Sequence, residues 1–183
     1  MYITLSLHMK RHLFLIGTCH CYQYGAGASR GKSRCTSPQE SAFRQFVRSS
    51  VLRLNAKVIA EELNAEFVLE VGKSASVLQV LAAEIPLPHL YCDPNRSERA
   101  TLGIRDENSI RNTAIIDGEP EFEVQRLLQE QFLVRETAWL RRLEGSGVWP
   151  VLFVCGTDHV PSFAALLAES AVSCEIVHAN WQG

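Results

Sequence analysis

The 183-residue chain contains no apolar run of the ~18 residues that a membrane-spanning helix needs. It also lacks a block of lysines or arginines, and its formal net charge is only −2. Such weak long-range electrostatics disfavours nucleic acid and anionic membranes as partners. We therefore expect a small-molecule or peptide substrate, or another copy of the chain in a homodimer, and neither nucleic acid nor a membrane as a partner.

Two further absences concern the cellular compartment. The first residues lack the order of a secretory signal, because Lys10 and Arg11 follow the first apolar patch and no small-residue cleavage site comes after them. The six cysteines show no spacing typical of a disulfide framework, so we expect reduced thiols. The sequence thus predicts a cytoplasmic location.

Strand-like and helix-like segments alternate along the chain. Strands are predicted at 13–17, 57–62, 88–93, 149–155 and 172–178, and helices at 38–54, 64–84, 120–143 and from Pro161 onwards. Strands that alternate with helices are typical of a parallel sheet covered on both faces. We expect a tail at 1–12 and a single α/β domain at 13–183, with a mostly parallel sheet of about five strands.

Two segments interrupt this alternation. Residues 24–37 are rich in Gly and Ser, which predicts a flexible loop, and their place after the first strand makes them a candidate lid. Residues 94–119 are polar and rich in turn residues, and we expect an irregular insertion there. Within the second helix, the run EFVLEV at 66–71 is also compatible with a strand, because a short apolar run does not distinguish the two.

The predicted loop contains AGASRGKS at 26–33, which satisfies a loose phosphate-loop pattern. In a phosphate loop the helix begins at the Lys-Ser pair, so that its N-terminus faces the phosphates. Here Ser37-Pro38-Gln39-Glu40 predicts a capping box with its N-cap at Ser37, well beyond Ser33. Nucleotide binding is therefore a less favoured function.

A near-repeat of eight residues is the most informative feature for function. The two octets, LFLIGTCH at 13–20 and LFVCGTDH at 152–159, each end a predicted strand with Gly-Thr-x-His. In a parallel α/β sheet, ligands bind outside the carboxyl ends of the strands. The two octets therefore predict one site, to which His20 and His159 both contribute.

Carboxylates also end predicted strands. The second strand ends at Glu61-Glu62 and the third at Asp93. Neutral histidine and carboxylates are ligands for divalent Mn, Zn, Co or Fe. We predict a metal held by His20, His159 and Glu62 or Glu61, with an open position for a water that the metal activates. Glu70 is a further candidate for the carboxylate.

Other residues are assigned roles around this metal. The remaining glutamate or Asp93 is the predicted general base. Arg99 or Arg135 is predicted to bind a substrate carboxylate or the developing oxyanion. Thr18 and Thr157 are predicted to bind substrate or to hydrogen-bond to the metal ligands.

These motifs resemble those of a known group of proteins, the Tiki/TraB/PrgY group, which is related to the haem-associated ChaN proteins and the erythromycin esterases. The resemblance rests on the GxxH motifs at 17–20 and 156–159, on the glutamate at 61 or 62, and on Arg135 in VRETAWLRRL. Similarity to Tiki implies metal-dependent hydrolysis of a peptide or ester bond. Similarity to ChaN implies instead haem binding without catalysis.

Two alternatives to the metal site remain open. In the haem-binding alternative, one of the two histidines, Tyr22 or Tyr24 is the axial ligand. In the other, Cys19 or Cys21 is a nucleophile beside His20 or His159.

Overall fold

The structure, a computed structural model, describes residues 11–29 and 34–183. Its strands are β1 (His12–Thr18), β2 (Val58–Glu61), β3 (His89–Tyr91), β4 (Val151–Gly156) and β5 (Ser173–Trp181). Its helices are α1 (His20–Tyr24), α2 (Ser37–Leu54), α3 (Ala65–Glu70), α4 (Val77–Glu84), α5 (Arg96–Leu102), α6 (Glu107–Asp117), α7 (Glu121–Ser146) and α8 (Val160–Glu169). A 3-10 helical turn, Thr157–His159, joins β4 to α8. Most of the predicted tail, and the Lys-Ser pair of the segment that matches the loose phosphate-loop pattern, lie outside the described residues.

All five strands run parallel in one sheet of order β3-β2-β4-β1-β5. Alternate residues of a strand face opposite sides of the sheet. On one side, Phe14 and Ile16 of β1 pack in a core with α2 and α4, and on the other side Leu13 and Leu15 pack with α7 and α8. The predicted α/β fold, with helices on both faces, is confirmed.

The two octets lie side by side in the centre of this sheet. In the pairing of β1 with β4, Leu13 lies opposite Val151 and Gly17 lies opposite Cys155. The octets are therefore one residue out of step, yet both strands end at the same edge.

None of the helices in the described ranges combines the length and apolar character that crossing a membrane requires.

The single helix predicted at 64–84 is two helices, α3 and α4. The chain turns at Gly72, whose φ of 80° lies in the left-handed region that glycine adopts without strain. Ser76 then caps α4 by accepting a hydrogen bond from the N–H of Gln79. The run EFVLEV belongs to α3 and its end, so the strand alternative is wrong.

The prediction of an irregular insertion at 94–119 is also wrong, because these residues form α5 and α6. Each helix begins at a side-chain cap, Asn95 or Asp106, and each ends at a left-handed glycine, Gly103 or Gly118. Their polar composition resembles that of a loop because both helices lie at the surface. In α6 only Ile110 and Ala114 are buried.

Helix α2 begins at Ser37, one residue before the predicted start at 38, and its N-cap is Thr36 and not Ser37. The Thr36 hydroxyl accepts from the N–H of Gln39 at 3.4 Å, and the Gln39 side chain accepts from the N–H of Thr36 at 3.0 Å. Glu40 instead accepts from the N–H of Ala26 at 2.7 Å. The described part of the predicted 24–37 loop is therefore tied to α2 at that point.

Gly17, in the first octet, permits a close approach of three segments. A Cβ at this position would lie 2.1 Å from the carbonyl oxygen of Ala179 and 2.5 Å from Cγ2 of Val160. We expect Gly17→Ala to lower the free energy of unfolding by about 1–3 kcal/mol, because the added methyl overpacks the site. Urea denaturation measures this change.

Gly145→Ala is the matched control, because a Cβ at Gly145 in α7 meets no atom within 4 Å. Replacing this helical glycine is expected to raise the free energy of unfolding by about 0.5–1 kcal/mol. Wild-type stability in Gly17→Ala would contradict the close approach at the end of β1.

Candidate functional site

A cleft of about 340 Å³ opens at the carboxyl ends of the strands. Its walls include five of the predicted site residues: His20, Glu62, Asp93, Arg99 and Arg135. They come from α1, the end of β2, the end of β3, α5 and α7. The edge of the sheet that the sequence indicated therefore carries a concave surface with titratable groups.

The carboxylate of Glu62 lies at the centre of this site, with only 1% of its side chain exposed. Its Oε1 lies 2.6 Å from Nη2 of Arg135, 3.3 Å from Nε2 of His159 and 3.7 Å from Nε2 of His20. Its Oε2 accepts from the N–H of Gly156 at 2.7 Å. The histidines of both octets thus face one carboxylate oxygen.

The charge state of Glu62 follows from these neighbours. Burial by itself raises the pKa of Glu62, because it penalises the charged form. The electrostatic influence of His20, Arg135 and His159, together with the hydrogen bond from the N–H of Gly156, outweighs burial and lowers the pKa from 4.5 to about 2. Glu62 is therefore a carboxylate at neutral pH.

Each histidine is held through its second ring nitrogen, Nδ1. For His20, Nδ1 lies 2.8 Å from Oε1 of Gln23, and for His159 it lies 2.7 Å from Oε1 of Glu136. The exposure of the two rings differs, because 38% of the His20 side chain is exposed but only 5% of the His159 side chain. His20 is therefore the histidine that a molecule in the cleft can reach.

Arg135 contacts two of the predicted metal ligands, Glu62 and His159. Its guanidinium group donates to Glu62 at 2.6 Å and to Asp93 at 2.9 and 3.0 Å, and its Nη1 lies 3.2 Å from Nε2 of His159. Within residues 11–29 and 34–183, no three His, Cys, Asp or Glu side chains are arranged to hold a metal ion. The predicted ligands do not fit a metal while Arg135 is in place, and metal binding stays a prediction.

Asp93 holds two arginines at the cleft. One of its oxygens accepts from Arg135 and, at 3.1 Å, from Nε1 of Trp139, and the other oxygen accepts from Arg99. Both oxygens are thus engaged by donors, so the carboxylate is better placed to position the arginines than to take a proton. Arg99 and Arg135 both keep part of their surface in the cleft.

Glu61 and Glu62 point to opposite sides of the sheet, as successive residues of a strand do. Glu61 is fully buried and does not line the cleft. Its side chain instead contacts Ser76, His89 and Gln23. Of the two glutamates, Glu62 is therefore the one that faces the histidines of the octets.

Two further predicted residues, Thr18 and Thr157, lie apart from this group. Thr18 is buried and donates to the carbonyl oxygen of Trp181 at 3.0 Å. Thr157 contacts Oδ1 of Asn180 at 3.1 Å. The threonines of both octets thus bond to β5, and neither lines the cleft that is their predicted place of substrate binding. Glu70, the further candidate for the carboxylate, does line the cleft.

The tyrosines of the haem-binding alternative and the cysteine of the nucleophile alternative differ in their access to the cleft. Tyr22 is buried and donates to the carbonyl oxygen of Gln182 at 2.6 Å, whereas Tyr24 lines the cleft. Burial and the neighbouring thiol of Cys19 raise the pKa of Cys21 to about 12. The Cys21 thiol is therefore protonated at neutral pH, which makes it a poor nucleophile. Haem binding through Tyr24 or a histidine stays a prediction.

Sequence reasoning missed two residues of the site, Gln23 and Glu136. Glu136 is fully buried and accepts from Oγ of Ser162 at 2.6 Å as well as contacting His159. It lies four residues after Phe132 and three before Trp139, on the stripe of α7 that faces the core. A glutamate among the apolar residues of a core-facing stripe is a signal of a functional residue that the sequence contains. No comparable signal in the sequence points to Gln23.

Comparison of the chain with protein-family models, with curated proteins and with solved structures finds no match. The resemblance to the Tiki/TraB/PrgY group therefore rests on the residues of the motifs alone and stays a prediction.

Glu62 links the stability of the fold to pH. Because folding lowers its pKa from 4.5 to about 2, the carboxylate stabilises the folded chain above pH 4.5, and this contribution is lost as the pH falls towards 2. We expect Glu62→Gln to lower the free energy of unfolding by about 3 kcal/mol at neutral pH, since it leaves Arg135 partly uncompensated. The difference from wild type should shrink between pH 4.5 and pH 2.

Urea unfolding at a series of pH values measures both effects. Glu84→Gln is the control, because Glu84 pairs with Arg44 and Arg48 at the exposed surface, where an ion pair contributes little. A destabilisation by Glu62→Gln that stays the same across this pH range would be inconsistent with a pKa lowered by folding.

Proposed function

We propose that the chain hydrolyses a peptide or ester bond in the cleft, with His20 as the general base. The proposal is carried by the position of His20, which lines the cleft and whose Nε2 lies 3.7 Å from the buried Glu62 carboxylate. A partly exposed imidazole beside a charged carboxylate is suited to proton transfer near neutral pH. The placement of the cleft at the carboxyl ends of parallel strands supports the same conclusion.

His20 takes a proton from a water molecule through Nε2, and the water oxygen attacks the carbonyl carbon of the substrate. Glu62 stabilises the imidazolium that forms, because its low pKa keeps it negatively charged. When the C–O or C–N bond breaks, the imidazolium returns its proton to the leaving oxygen or nitrogen. Water is the only reactant besides the substrate.

Arg99 and Arg135 supply positive charge where the carbonyl oxygen becomes negative. Asp93 accepts hydrogen bonds from both, so their guanidinium groups are held in place before the substrate arrives. Fixed charges of this kind stabilise a developing oxyanion well, because they do not have to reorient during the reaction. The predicted role of the two arginines is thus retained in the proposal.

His159 supports this arrangement from the protein interior. Its ring packs against Phe132 and Trp139, with centroid distances of 4.0 and 4.8 Å. Because the ring is enclosed and bonded to Glu136, it is a positioning residue for Glu62 and Arg135. In the metal-dependent form of the reaction, which the resemblance to Tiki implies, His159 would instead bind the ion, and Arg135 would have to leave.

The rate of hydrolysis tests the role of His20. We expect His20→Ala to lower kcat/KM by about 100- to 10,000-fold, since it removes the general base. His178→Ala is the matched control, because His178 is exposed on β5 and does not line the cleft. The substrates are a series of p-nitrophenyl esters and a library of fluorogenic peptides. Absence of hydrolysis in both series, or a fully active His20→Ala variant, would refute the proposal.

Elemental analysis separates the metal-independent reaction from the metal-dependent one. We expect hydrolysis to persist in EDTA, because Arg135 and not a metal ion neutralises Glu62. Near-stoichiometric Mn, Zn, Co or Fe in the wild type, lost in both His20→Ala and His159→Ala, would establish the metal-dependent form. In that case His20 is a ligand and not the base.

A further inference from the structure

We propose that Gln23 is a positioning residue that sets the tautomer of His20, and that Glu61 holds Gln23 in the orientation this requires. The inference rests on the proposed function, because it concerns the base of that reaction. It gives a role to two buried polar residues, Gln23 and Glu61, that take no direct part in the reaction.

Gln23 lies one turn after His20 in α1, and its side chain is fully buried. Its amide nitrogen lies 3.2 Å from Oε2 of Glu61 and 3.5 Å from the carbonyl oxygen of Val154. Its amide oxygen lies 2.8 Å from Nδ1 of His20. The amide group thus connects the ends of two strands to the ring of the proposed base.

The partners of Gln23 permit one orientation of its amide. The carbonyl oxygen of Val154 only accepts hydrogen bonds, so the NH₂ group of Gln23 must face it and Glu61. The amide oxygen is then left facing His20, where it can accept only from a nitrogen that carries a proton. Neutral His20 therefore has its proton on Nδ1 and its lone pair on Nε2, on the side of the cleft.

Glu61 is fixed in turn by residues on its own side of the sheet. Its Oε1 accepts from the hydroxyl of Ser76 and lies 2.8 Å from Nε2 of His89. Ser76 is itself held as the N-cap of α4. Because Oε1 is engaged in this way, Oε2 remains as the oxygen that receives the Gln23 amide.

The tautomer matters because a base needs a lone pair directed at the water. With the proton on Nε2, His20 would present an N–H to the cleft and could not take a proton there. A histidine base in the wrong tautomer lowers the rate by up to about 10⁴-fold. The second histidine, His159, has a different partner at this nitrogen, because a carboxylate, Glu136, faces its Nδ1.

NMR measures the tautomer directly, independently of any activity. Long-range ¹H–¹⁵N spectra are recorded on the full chain, labelled with ¹⁵N in the histidine rings, with EDTA present so that no metal occupies a ring nitrogen. The pH is raised until the His20 signals no longer change, and these signals are assigned by their absence from His20→Ala. We expect the wild-type protein to show His20 with its proton on Nδ1.

Gln23→Met removes the acceptor and keeps a side chain of similar size. We expect the His20 population to shift towards the Nε2–H form, and kcat to fall by at least about tenfold with the fold retained. Gln79→Met is the matched control, because the Gln79 amide oxygen accepts from Tyr91 at 2.8 Å and contacts neither His20 nor Glu61. In this variant the tautomer should remain that of the wild type.

Two results would overturn the inference: an Nε2–H tautomer in the wild type, or an unchanged Nδ1–H tautomer in a folded Gln23→Met variant. The wild-type spectrum is decisive even if Gln23→Met does not fold. A shift in Gln23→Met in a chain without hydrolytic activity would support the positioning role and refute only the proposed function. The two proposals therefore fail separately.

Discussion

A negative charge that is withdrawn from water has to be matched by positive charge or by N–H groups, because an unpaired buried carboxylate is strongly unfavourable. Glu62 is matched from four directions, by His20, Arg135, His159 and the N–H of Gly156. These groups belong to α1, α7, the turn after β4, and β4 itself. Apolar side chains of α1 and α7 pack in the cores on opposite sides of the sheet, and the charge of Glu62 requires the polar groups of the four elements to meet at one point. The candidate site is the result of that requirement.

The near-repeat of Gly-Thr-x-His has a physical reason at each position. The glycines allow close approach, since a Cβ at Gly17 would collide with β5 and a Cβ at Gly156 would lie 2.9 Å from Nε2 of His20. The threonines bond to the end of β5. The histidines then enter the site from adjacent strands. The repeat nevertheless produces two different histidines, because one ring is open to the cleft and bonded to an amide, whereas the other is enclosed and bonded to a carboxylate.

The adjacent glutamates divide their work between the two sides of the sheet. Glu62 contacts Arg135 and the two histidines on one side, and Glu61 accepts a hydrogen bond from Gln23 on the opposite side. Gln23 reaches past the strand ends to His20, so the two sides are connected through one amide group. A proton donor or acceptor that is aimed in this way is characteristic of sites that transfer protons. In the proposed reaction, this connection allows Glu61, which does not line the cleft, to act on the orientation of His20.

Local patterns in the sequence determined the parallel α/β sheet, because apolar periodicity and helix capping depend on residues that are close in the chain. They also determined that the two histidines meet at one edge, since parallel strands end together. Local patterns gave a wrong prediction at 94–119, because helices with few buried residues have the composition of a loop. Only the tertiary structure decided that the guanidinium group of Arg135 contacts both Glu62 and His159, two of the predicted metal ligands. That contact depends on how α7 packs on the sheet, and no pattern of neighbouring residues encodes the distance between side chains that are far apart in the chain.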